Sequence, residues 1–263
     1  MMETDWQRRM LSPMRKRNNM KNVIVEGHRG WAALYPENTL LSYRKALELG
    51  VDAFEFDIWL TKDKVPVLMH DGNCRRTCGV DRHLRDMTFE EVRTLEPCYR
   101  EKFGETFAGQ GLRVPTLEET LALAASLRPD VMFGVEIKEY TEETVDLSVA
   151  LLKKSGVFEK CFFYAFNARV IRYLKEKYNA RTMGYPDFQM KEFQPDSYDY
   201  YDEIGLNMNL VHSELLPFYQ KKGFPIHMYC ADTPEDVAFC LREGASLITA
   251  NDPIPLMKAL GRA

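Results

Sequence analysis

The chain has 263 residues, 45% of which are apolar, and a formal net charge of −4 with acidic and basic residues interspersed. This length and apolar content are sufficient for one domain with a full core. Because there is no broad basic field, nucleic acid is not an expected partner. No apolar run approaches the ~20 residues of a membrane span, so we expect no stable membrane insertion.

Residues 1–21 form a basic segment that contains few apolar side chains. A secretory signal would need an apolar core of about 7–15 residues after the basic part, and none follows. We interpret the segment as a disordered basic tail; translation from Met20 and a weak attraction to anionic lipid are the alternatives. The six cysteines lack the spacing of a disulfide framework or a zinc site, which favours reduced thiols in the cytoplasm.

The first predicted strand, 23–27, begins a regular alternation of apolar strand-like runs and amphipathic helix-like segments. The further predicted strands are 53–58, 131–137, 160–165, 181–185, 203–207, 225–229 and 246–249. The predicted helices are 39–49, 116–127, 141–155, 167–178, 213–222, 233–243 and 253–260, and we expect a helix after every strand. Eight strand–helix alternations in about 240 residues, within a single domain at 22–263, predict a (β/α)₈ TIM barrel. A doubly wound open sheet is the alternative, but no glycine-rich dinucleotide turn follows the first strand.

Two segments depart from this alternation. The run 65–69 is an additional strand-like piece, and its pattern leaves open whether it enters the barrel or flanks it. Residues 72–115 form a long insertion that contains several aromatic side chains. A connection of this length usually carries function or covers a site. We therefore expect the insertion to pack over one side of the C-terminal face of the barrel; a decorative excursion is the alternative.

Two predicted strands carry carboxylates that could bind a metal ion. Glu55 and Asp57 are two residues apart, so they point to the same face of their strand and repel each other unless a positive charge lies between them. Oxygen ligands of this kind suit Mg²⁺ or Ca²⁺, and a polar strand face paired with lysine or arginine is the alternative. Glu136, on a second strand, could be a third ligand. Lys138 could serve as a counter-charge for phosphate, or it could only pair with Glu136.

Two histidines follow strand-like runs and have charged neighbours. Histidine titrates near neutral pH, so His28 and His70 could supply the base and the acid of a phosphoryl transfer, although a lone histidine is more often structural. Asp71 could orient His70 or pair with a basic side chain. Arg29 offers a planar donor fork that suits phosphate oxygens. The other three histidines are interpreted as surface or packing residues: His83, His212 and His227.

Taken together, these motifs resemble the glycerophosphodiester phosphodiesterase family. The matching runs, in order, are His28-Arg29-Gly30, Pro36-Glu37-Asn38-Thr39, Glu55-x-Asp57, Thr61-Lys62-Asp63, His70-Asp71, Arg76-Thr77 and Glu136-Ile137-Lys138. The resemblance extends from residue 22 to the end of the chain. It implies that the metal ligands are Glu55, Asp57 and Glu136 and that the catalytic pair is His28 and His70.

The resemblance also implies roles for three further residues. Arg29 contacts the phosphate, Lys138 lies close to it, and Glu37 holds Arg29 or the metal site in place. The implied reaction is metal-dependent hydrolysis of glycerophosphodiesters to glycerol 3-phosphate and an alcohol, through a cyclic phosphate. The insertion is expected to help select the alcohol. Alternatives are a phospholipase C- or D-like enzyme acting on intact lipids, a non-catalytic metal- or phosphate-binding barrel, and a metal-dependent lyase.

The resemblance weakens near the C-terminus. Tyr229-Cys230 stands where the family usually has Trp-Thr, and Ala250-Asn251 stands where it usually has Thr-Asp. Strand ends of a barrel face the substrate, so we assign Tyr229 to substrate binding and expect both departures to influence which diester fits. We expect neither to touch the metal site or the histidines. No feature of the sequence indicates an oligomeric state or decides between Mg²⁺ and Ca²⁺.

Overall fold

Eight parallel strands of this chain close into a barrel, and a ninth strand flanks it. The computed structural model describes residues 23–262; the basic segment 1–21 lies outside the described residues. The strands are β1 Ile24–Gly27, β2 Ala53–Leu60, β3 Pro66–Leu68, β4 Met132–Ile137, β5 Cys161–Tyr164, β6 Thr182–Gly184, β7 Glu203–Asn207, β8 Ile226–Tyr229 and β9 Leu247–Ala250.

The order of the strands around the sheet is β1-β9-β8-β7-β6-β5-β4-β2-β3, and an additional pairing of β1 with β2 closes the ring. All pairings within the ring are parallel. The predicted (β/α)₈ barrel is therefore confirmed, and the open doubly wound sheet was the wrong alternative. The strand β3 pairs antiparallel with the end of β2, so the run 65–69 flanks the barrel instead of entering it.

Ten α-helices lie within the described residues. They are α1 Leu40–Leu49, α2 Arg75–Cys78, α3 Phe89–Val92, α4 Arg100–Phe103, α5 Leu117–Leu127, α6 Glu142–Lys154, α7 Ala168–Tyr178, α8 Leu215–Lys221, α9 Pro234–Glu243 and α10 Ile254–Ala259. Local capping explains several boundaries. Thr39 accepts a hydrogen bond from the Ser42 backbone at the start of α1, and Gly50, with φ 90°, ends that helix in a left-handed conformation. None of the described helices has the length and apolar character needed to cross a bilayer.

The predicted alternation of strands and helices is interrupted after β6. We expected a helix after every strand, but β6 and β7 are joined by two short 3₁₀ turns, Asp187–Gln189 and Ser197–Tyr200. Pro186 and Pro195 lie in this connection. Proline lacks a backbone N–H and restricts the residue before it, so it interrupts a continuous helix.

The insertion and β3 build a small core of their own outside the barrel. Helices α2, α3 and α4 belong to the insertion. Buried apolar residues from both segments form one cluster, with Trp59 of β2 packed against it. Its buried members are Val67, Met69, Cys74, Cys78, Leu84, Met87, Val92, Leu95 and Val114. This separate core fixes the insertion beside the C-terminal end of β2, where the predicted site lies.

Candidate active site

The predicted site residues meet at the C-terminal ends of the barrel strands. His28 and Arg29 follow β1, while Glu55 and Asp57 lie within the parallel ladder that β2 forms with β4. Asp57 stands directly beside Glu136 in the register of β2 and β4. Since the C-terminal ends of the strands carry the functional groups of (β/α)₈ barrels, this is the expected position for an active site.

The three carboxylates predicted to bind metal form one buried cluster. One oxygen each from Glu55, Asp57 and Glu136 lies within 4.8 Å of the others. Glu55 Oε1 and Asp57 Oδ1 are buried and have no hydrogen-bond partner among the described residues. A buried carboxylate oxygen without a partner is costly, whereas an all-oxygen set of this kind suits a hard divalent cation. The residues present therefore fit a bound cation.

The charge balance of the cluster supports the same interpretation. Burial, followed by the charge of Asp57, raises the pKa of Glu55 well above its usual value. Burial also raises the pKa of Glu136, although Lys138 opposes it. For Asp57, burial is outweighed by Arg29 and Lys138, which hold its pKa below the usual value. Arg29 and Lys138 thus neutralise Asp57 more fully than Glu55 or Glu136 is neutralised. A bound cation would offset the remaining negative charge of the cluster.

Arg29 connects the cluster to a second layer of charges. Its backbone N–H donates to Glu55 Oε2 at 3.0 Å, and its guanidinium lies 3.3 Å from Asp57 and 2.9 Å from Glu37. Glu37 therefore holds Arg29, as the resemblance implies. Arg76 of α2 donates to both oxygens of Glu37, at 3.0 and 2.7 Å. No role was predicted for Arg76 from the sequence, although the Arg76-Thr77 run belongs to the family pattern.

Asn38 is a second residue whose role the sequence did not reveal. Its Nδ2 donates to Asp57 Oδ2 at 2.7 Å, and its Oδ1 accepts from the Tyr43 hydroxyl at 2.7 Å. Asn38 adopts a left-handed backbone with φ 53°, a conformation that asparagine tolerates better than most residues. It lies in the Pro36-Glu37-Asn38-Thr39 run, from which only Glu37 received a role. The amide orients the carboxylate of Asp57 toward the cluster.

His70 lies beside Asp71 and has a charged partner. Its Nδ1 lies 2.6 Å from Asp71 Oδ1, and Arg76 Nε donates to the other oxygen of Asp71. The sequence left open whether Asp71 orients His70 or pairs with a basic residue. Asp71 makes both contacts, because it faces His70 and accepts a hydrogen bond from Arg76. The hydrogen bond to His70, together with Arg76, holds the pKa of Asp71 below its usual value despite partial burial.

His28 has neutral partners instead. Its Nδ1 lies 2.7 Å from Asn251 Oδ1 and 3.4 Å from Cys230 Sγ, and its Nε2 is 3.9 Å from Glu55 Oε2. Burial, followed by the positive charge of Arg29, lowers the pKa of His28 to about 3. The imidazole is therefore neutral near pH 7.

The expectation that the two C-terminal departures leave the histidines untouched was wrong. Both Cys230 and Asn251 contact His28. The physical reason is barrel closure: β9 lies between β1 and β8, so the residues that follow these three strands converge. Linear sequence places Asn251 far from His28, whereas the closed ring makes them neighbours.

The remaining predicted residues lie around the rim. Lys138 donates to Glu136 at 2.9 Å and lies 3.6 Å from Asp57, so it does pair with the acidic cluster. Tyr229 is half-buried at the end of β8, with its ring edge-on to Tyr185 at a centroid distance of 5.8 Å. From the insertion, Lys102 Nζ donates to the carbonyl of Ala32 at 2.7 Å. The insertion therefore rests on the loop that follows β1, at the barrel mouth.

Comparison with known proteins identifies the family. A sequence profile described as the glycerophosphoryl diester phosphodiesterase family matches residues 28–254. The chain belongs to this family. The predicted family and the predicted class of enzyme, a phosphodiesterase, are therefore confirmed. The match includes both histidines, the acidic cluster and the two departures at the ends of β8 and β9.

Members of the glycerophosphoryl diester phosphodiesterase family resemble the chain over nearly its full length. A glycerophosphodiester phosphodiesterase of Caldanaerobacter subterraneus subsp. tengcongensis is 29% identical over 245 residues, which cover 90% of this chain and 97% of that protein. The crystal structure of the Thermotoga maritima glycerophosphodiester phosphodiesterase superimposes with a TM-score of 0.67 at 25% identity and covers 90% of this chain and 98% of that one. An Oleispira antarctica phosphodiesterase, solved in complex with its product sn-glycerol-3-phosphate, shares the fold with a TM-score of 0.78 at 20% identity and covers 91% and 97% of the two chains.

Proposed function

We propose that this enzyme hydrolyses glycerophosphodiesters to glycerol 3-phosphate and an alcohol, in a metal-dependent reaction with a histidine base and a histidine acid. The observation that carries the proposal is the different environment of the two imidazoles. His28 Nδ1 faces a neutral amide, whereas His70 Nδ1 faces the carboxylate of Asp71. A neutral imidazole suits a base, and a carboxylate partner stabilises the imidazolium that donates a proton.

The acidic cluster would hold one divalent cation, Mg²⁺ or Ca²⁺, through Glu55, Asp57 and Glu136. When bound, such a cation neutralises developing negative charge and lowers the pKa of a hydroxyl group. The oxygen-only donor set is compatible with either ion. Asn38 and Lys138 keep two of these carboxylates oriented, through the contacts to Asp57 and Glu136.

In the first step, His28 accepts the proton of the glycerol 2-hydroxyl, and the hydroxyl oxygen forms a bond to phosphorus. The bond from phosphorus to the alcohol oxygen breaks, and His70 transfers its proton to that oxygen. The products of this step are a cyclic phosphate and the free alcohol. Arg29 and Lys138 stabilise the negative charge of the non-bridging oxygens, because both are fixed cations beside the cluster.

In the second step, the histidines exchange roles. His70, now neutral, accepts a proton from water, and the water oxygen attacks phosphorus. The ring bond to the glycerol 2-oxygen breaks, and His28 returns its proton to that oxygen. The result is glycerol 3-phosphate, and both histidines are back in their initial states.

The proposal is tested by glycerol 3-phosphate release from glycerophosphocholine and glycerophosphoethanolamine, with Mg²⁺, with Ca²⁺ and with EDTA. We expect release with at least one cation, none with EDTA, and a loss of about 10²-fold or more in Glu55→Gln, because this variant lacks one proposed ligand charge. Glu48→Gln on α1 is the matched control, since Glu48 is exposed and pairs with Lys45 at the surface. Release that is unaffected by EDTA and by Glu55→Gln would contradict the metal-dependent mechanism.

A second candidate, action on intact lipids, is favoured by apolar side chains at the rim. Leu34, after β1, and Phe188, after β6, have exposed fractions of 52% and 64%. Exposed apolar side chains beside a site can contact a membrane surface. Activity on lysophospholipid or phospholipid vesicles without activity on soluble diesters would support this candidate.

A further inference from the structure

Three side chains at the ends of adjacent strands form a continuous hydrogen-bonded chain. They are Asp232, which lies after β8, Asn251, which follows β9, and His28, which follows β1. Asn251 Nδ2 lies 2.7 Å from Asp232 Oδ2, and Asn251 Oδ1 lies 2.7 Å from His28 Nδ1. The chain ends on the imidazole proposed as the base.

The carboxylate of Asp232 determines which way the Asn251 amide points. Asp232 Oδ1 accepts from the backbone N–H groups of Asn251, at 2.6 Å, and Asp252, at 3.0 Å. A carboxylate can only accept hydrogen bonds, so the NH₂ group of Asn251 must face Asp232 Oδ2. The amide oxygen of Asn251 is then the atom that faces His28. The orientation of an asparagine amide is assigned from its partners in this manner.

The amide oxygen in turn determines the protonation of His28. If Nδ1 were unprotonated, two lone pairs would face each other at 2.7 Å, which is repulsive. Nδ1 therefore carries the proton and donates it to Asn251, and Nε2 keeps its lone pair. Cys230 Sγ, at 3.4 Å from the same nitrogen, is a weaker partner and does not replace this contact. The free Nε2 lies on the side of Glu55 and the acidic cluster.

We infer that Asn251, oriented by Asp232, is a positioning residue that holds His28 in the tautomer with its proton on Nδ1, so that Nε2 is the nitrogen that accepts the substrate proton. This inference rests on the proposed role of His28 as the base. It gives the Asn251 departure a function in the reaction itself, in place of the role in substrate choice that the sequence suggested.

Replacing one oxygen of the Asp232 side chain by an NH₂ group should reverse the hydrogen bonds that lead to His28. In Asp232→Asn, the backbone N–H groups still require the oxygen of residue 232, so its new NH₂ group occupies the place of Oδ2. That group faces the NH₂ of Asn251, and the Asn251 amide must rotate to present its oxygen. Its NH₂ then points at His28 Nδ1, which must accept. The proton of His28 moves to Nε2, and the base is blocked.

The double exchange Asp232→Asn with Asn251→Asp should restore the direction of the hydrogen bonds and the proton on Nδ1. The new carboxylate also raises the pKa of His28, so the comparison is made at a pH above that raised pKa. The carboxylate at position 251 accepts from the amide at position 232 and also from His28 Nδ1–H. This variant contains the same two side-chain types in exchanged positions. Because it restores function only if the direction of the hydrogen bonds matters, it separates positioning from simple loss of packing.

The experiment measures the tautomer directly in protein labelled with ¹⁵N-histidine. Long-range ¹H–¹⁵N correlation spectra distinguish a protonated ring nitrogen from an unprotonated one, and the His28 signals are assigned by their absence in His28→Gln. We expect an unprotonated Nε2 in the native protein, a protonated Nε2 in Asp232→Asn, and an unprotonated Nε2 again in the double exchange. Asp252→Asn is the matched control, because the Asp252 side chain contacts Trp31 instead of His28.

Kinetics on glycerophosphocholine provide the second readout. We expect kcat of Asp232→Asn to fall by about 10²–10⁴-fold, the cost of removing or misprotonating a general base, with KM and cation affinity near the native values. The double exchange should recover most of the loss. An unprotonated Nε2 in Asp232→Asn would overturn the inference. A change of tautomer without loss of turnover would leave the positioning intact and overturn the proposed role of His28, so the two failures are distinguishable.

Discussion

The two histidines of the site differ in what faces Nδ1, and this difference gives them different chemistry. An amide oxygen accepts from His28, while the Asp71 carboxylate lies 2.6 Å from His70. Asp71 is itself held by Arg76, so the pair has a fixed geometry. His28 is a partly buried neutral ring and His70 is paired with a carboxylate. This asymmetry suits a reaction in which one histidine accepts a proton and the other donates one.

The assignment of His70 as the acid predicts a dependence on the leaving group. In His70→Ala, hydrolysis of glycerophosphocholine should fall by about 10²–10⁴-fold, because the departing alkoxide receives no proton. A glycerophospho-nitrophenyl diester should lose much less, since nitrophenolate leaves without protonation. The comparison of kcat/KM for the two substrates checks this. His212→Ala, at an exposed position, is the control for both; equal losses on the two substrates in His70→Ala would remove the acid assignment.

At this scale, some of the site could be predicted from the sequence and some could not. The spacing of Glu55 and Asp57 was sufficient to place both on one strand face, because the period of a strand is local. The roles of Asn38 and Arg76 were not predicted, because their hydrogen-bond partners are brought close to them only by the fold. Asparagine and arginine are common at surfaces, and only the structure shows that these two hold Asp57 and Glu37.

Among the elements, the short helix α2 connects the insertion to the active site. Its residue Arg76 donates three hydrogen bonds to Glu37 and Asp71. The hydrogen bond from Arg76, together with the charge of Arg29, lowers the pKa of Glu37 even though burial opposes this. The insertion therefore contributes to the arrangement of Arg29 and His70 without belonging to the barrel.

Removal of this connection should weaken catalysis and stability together. In Arg76→Met, Glu37 and Asp71 lose their shared partner, so we expect a drop of roughly tenfold in kcat/KM and about 1–3 kcal/mol in the free energy of unfolding. Steady-state kinetics and urea unfolding measure the two effects. Arg75→Met is a matched control, because Arg75 is 71% exposed and its ion pair with Asp81 lies at the surface. Similar effects of both substitutions would contradict a specific role of Arg76.

The strands of the barrel could be predicted from the sequence more accurately than the segments that connect them. All eight barrel strands were predicted to within a few residues, since apolar runs bounded by helix caps are local signals. The missing helix after β6 and the flanking position of β3 depend on the proline positions and on pairing with β2, and neither was inferred from the periodicity. The contact between His28 and Asn251 depends on closure of the ring, which brings residues from the two ends of the chain together.

For the whole molecule, the interior of the barrel contains a buried acid beneath the site. Glu26 of β1 is fully buried, and its oxygens accept from the Tyr164 hydroxyl at 3.0 Å and from the Thr249 hydroxyl at 2.6 Å. Position 134 is glycine because a Cβ there would collide with the Glu26 carboxyl. Barrel interiors are usually filled by branched apolar side chains, so this polar layer has an electrostatic cost.

That cost predicts how the stability of the protein depends on pH. Burial, opposed by the hydrogen bonds from Thr249 and Tyr164, raises the pKa of Glu26 from 4.5 to about 8. Between these values the folded chain keeps a proton that the unfolded chain has released, so the free energy of unfolding decreases as pH rises. The decrease from this group is at most about 1.4 kcal/mol per pH unit, and it ends near pH 8.

Substitution of Glu26 by glutamine should abolish this contribution. The amide mimics the neutral carboxyl, since its oxygen can accept from Tyr164 and its NH₂ can donate to the Thr249 hydroxyl. Relative to the native protein, Glu26→Gln should therefore become progressively more stable from pH 5 to pH 8, and urea unfolding in EDTA measures the difference. EDTA removes cations, and the subtraction cancels the titration of the acidic cluster, which both proteins share. The exposed control Glu48→Gln should give a difference that does not change with pH. A flat difference for Glu26→Gln would mean that Glu26 has the same charge in the folded and unfolded chains throughout this range.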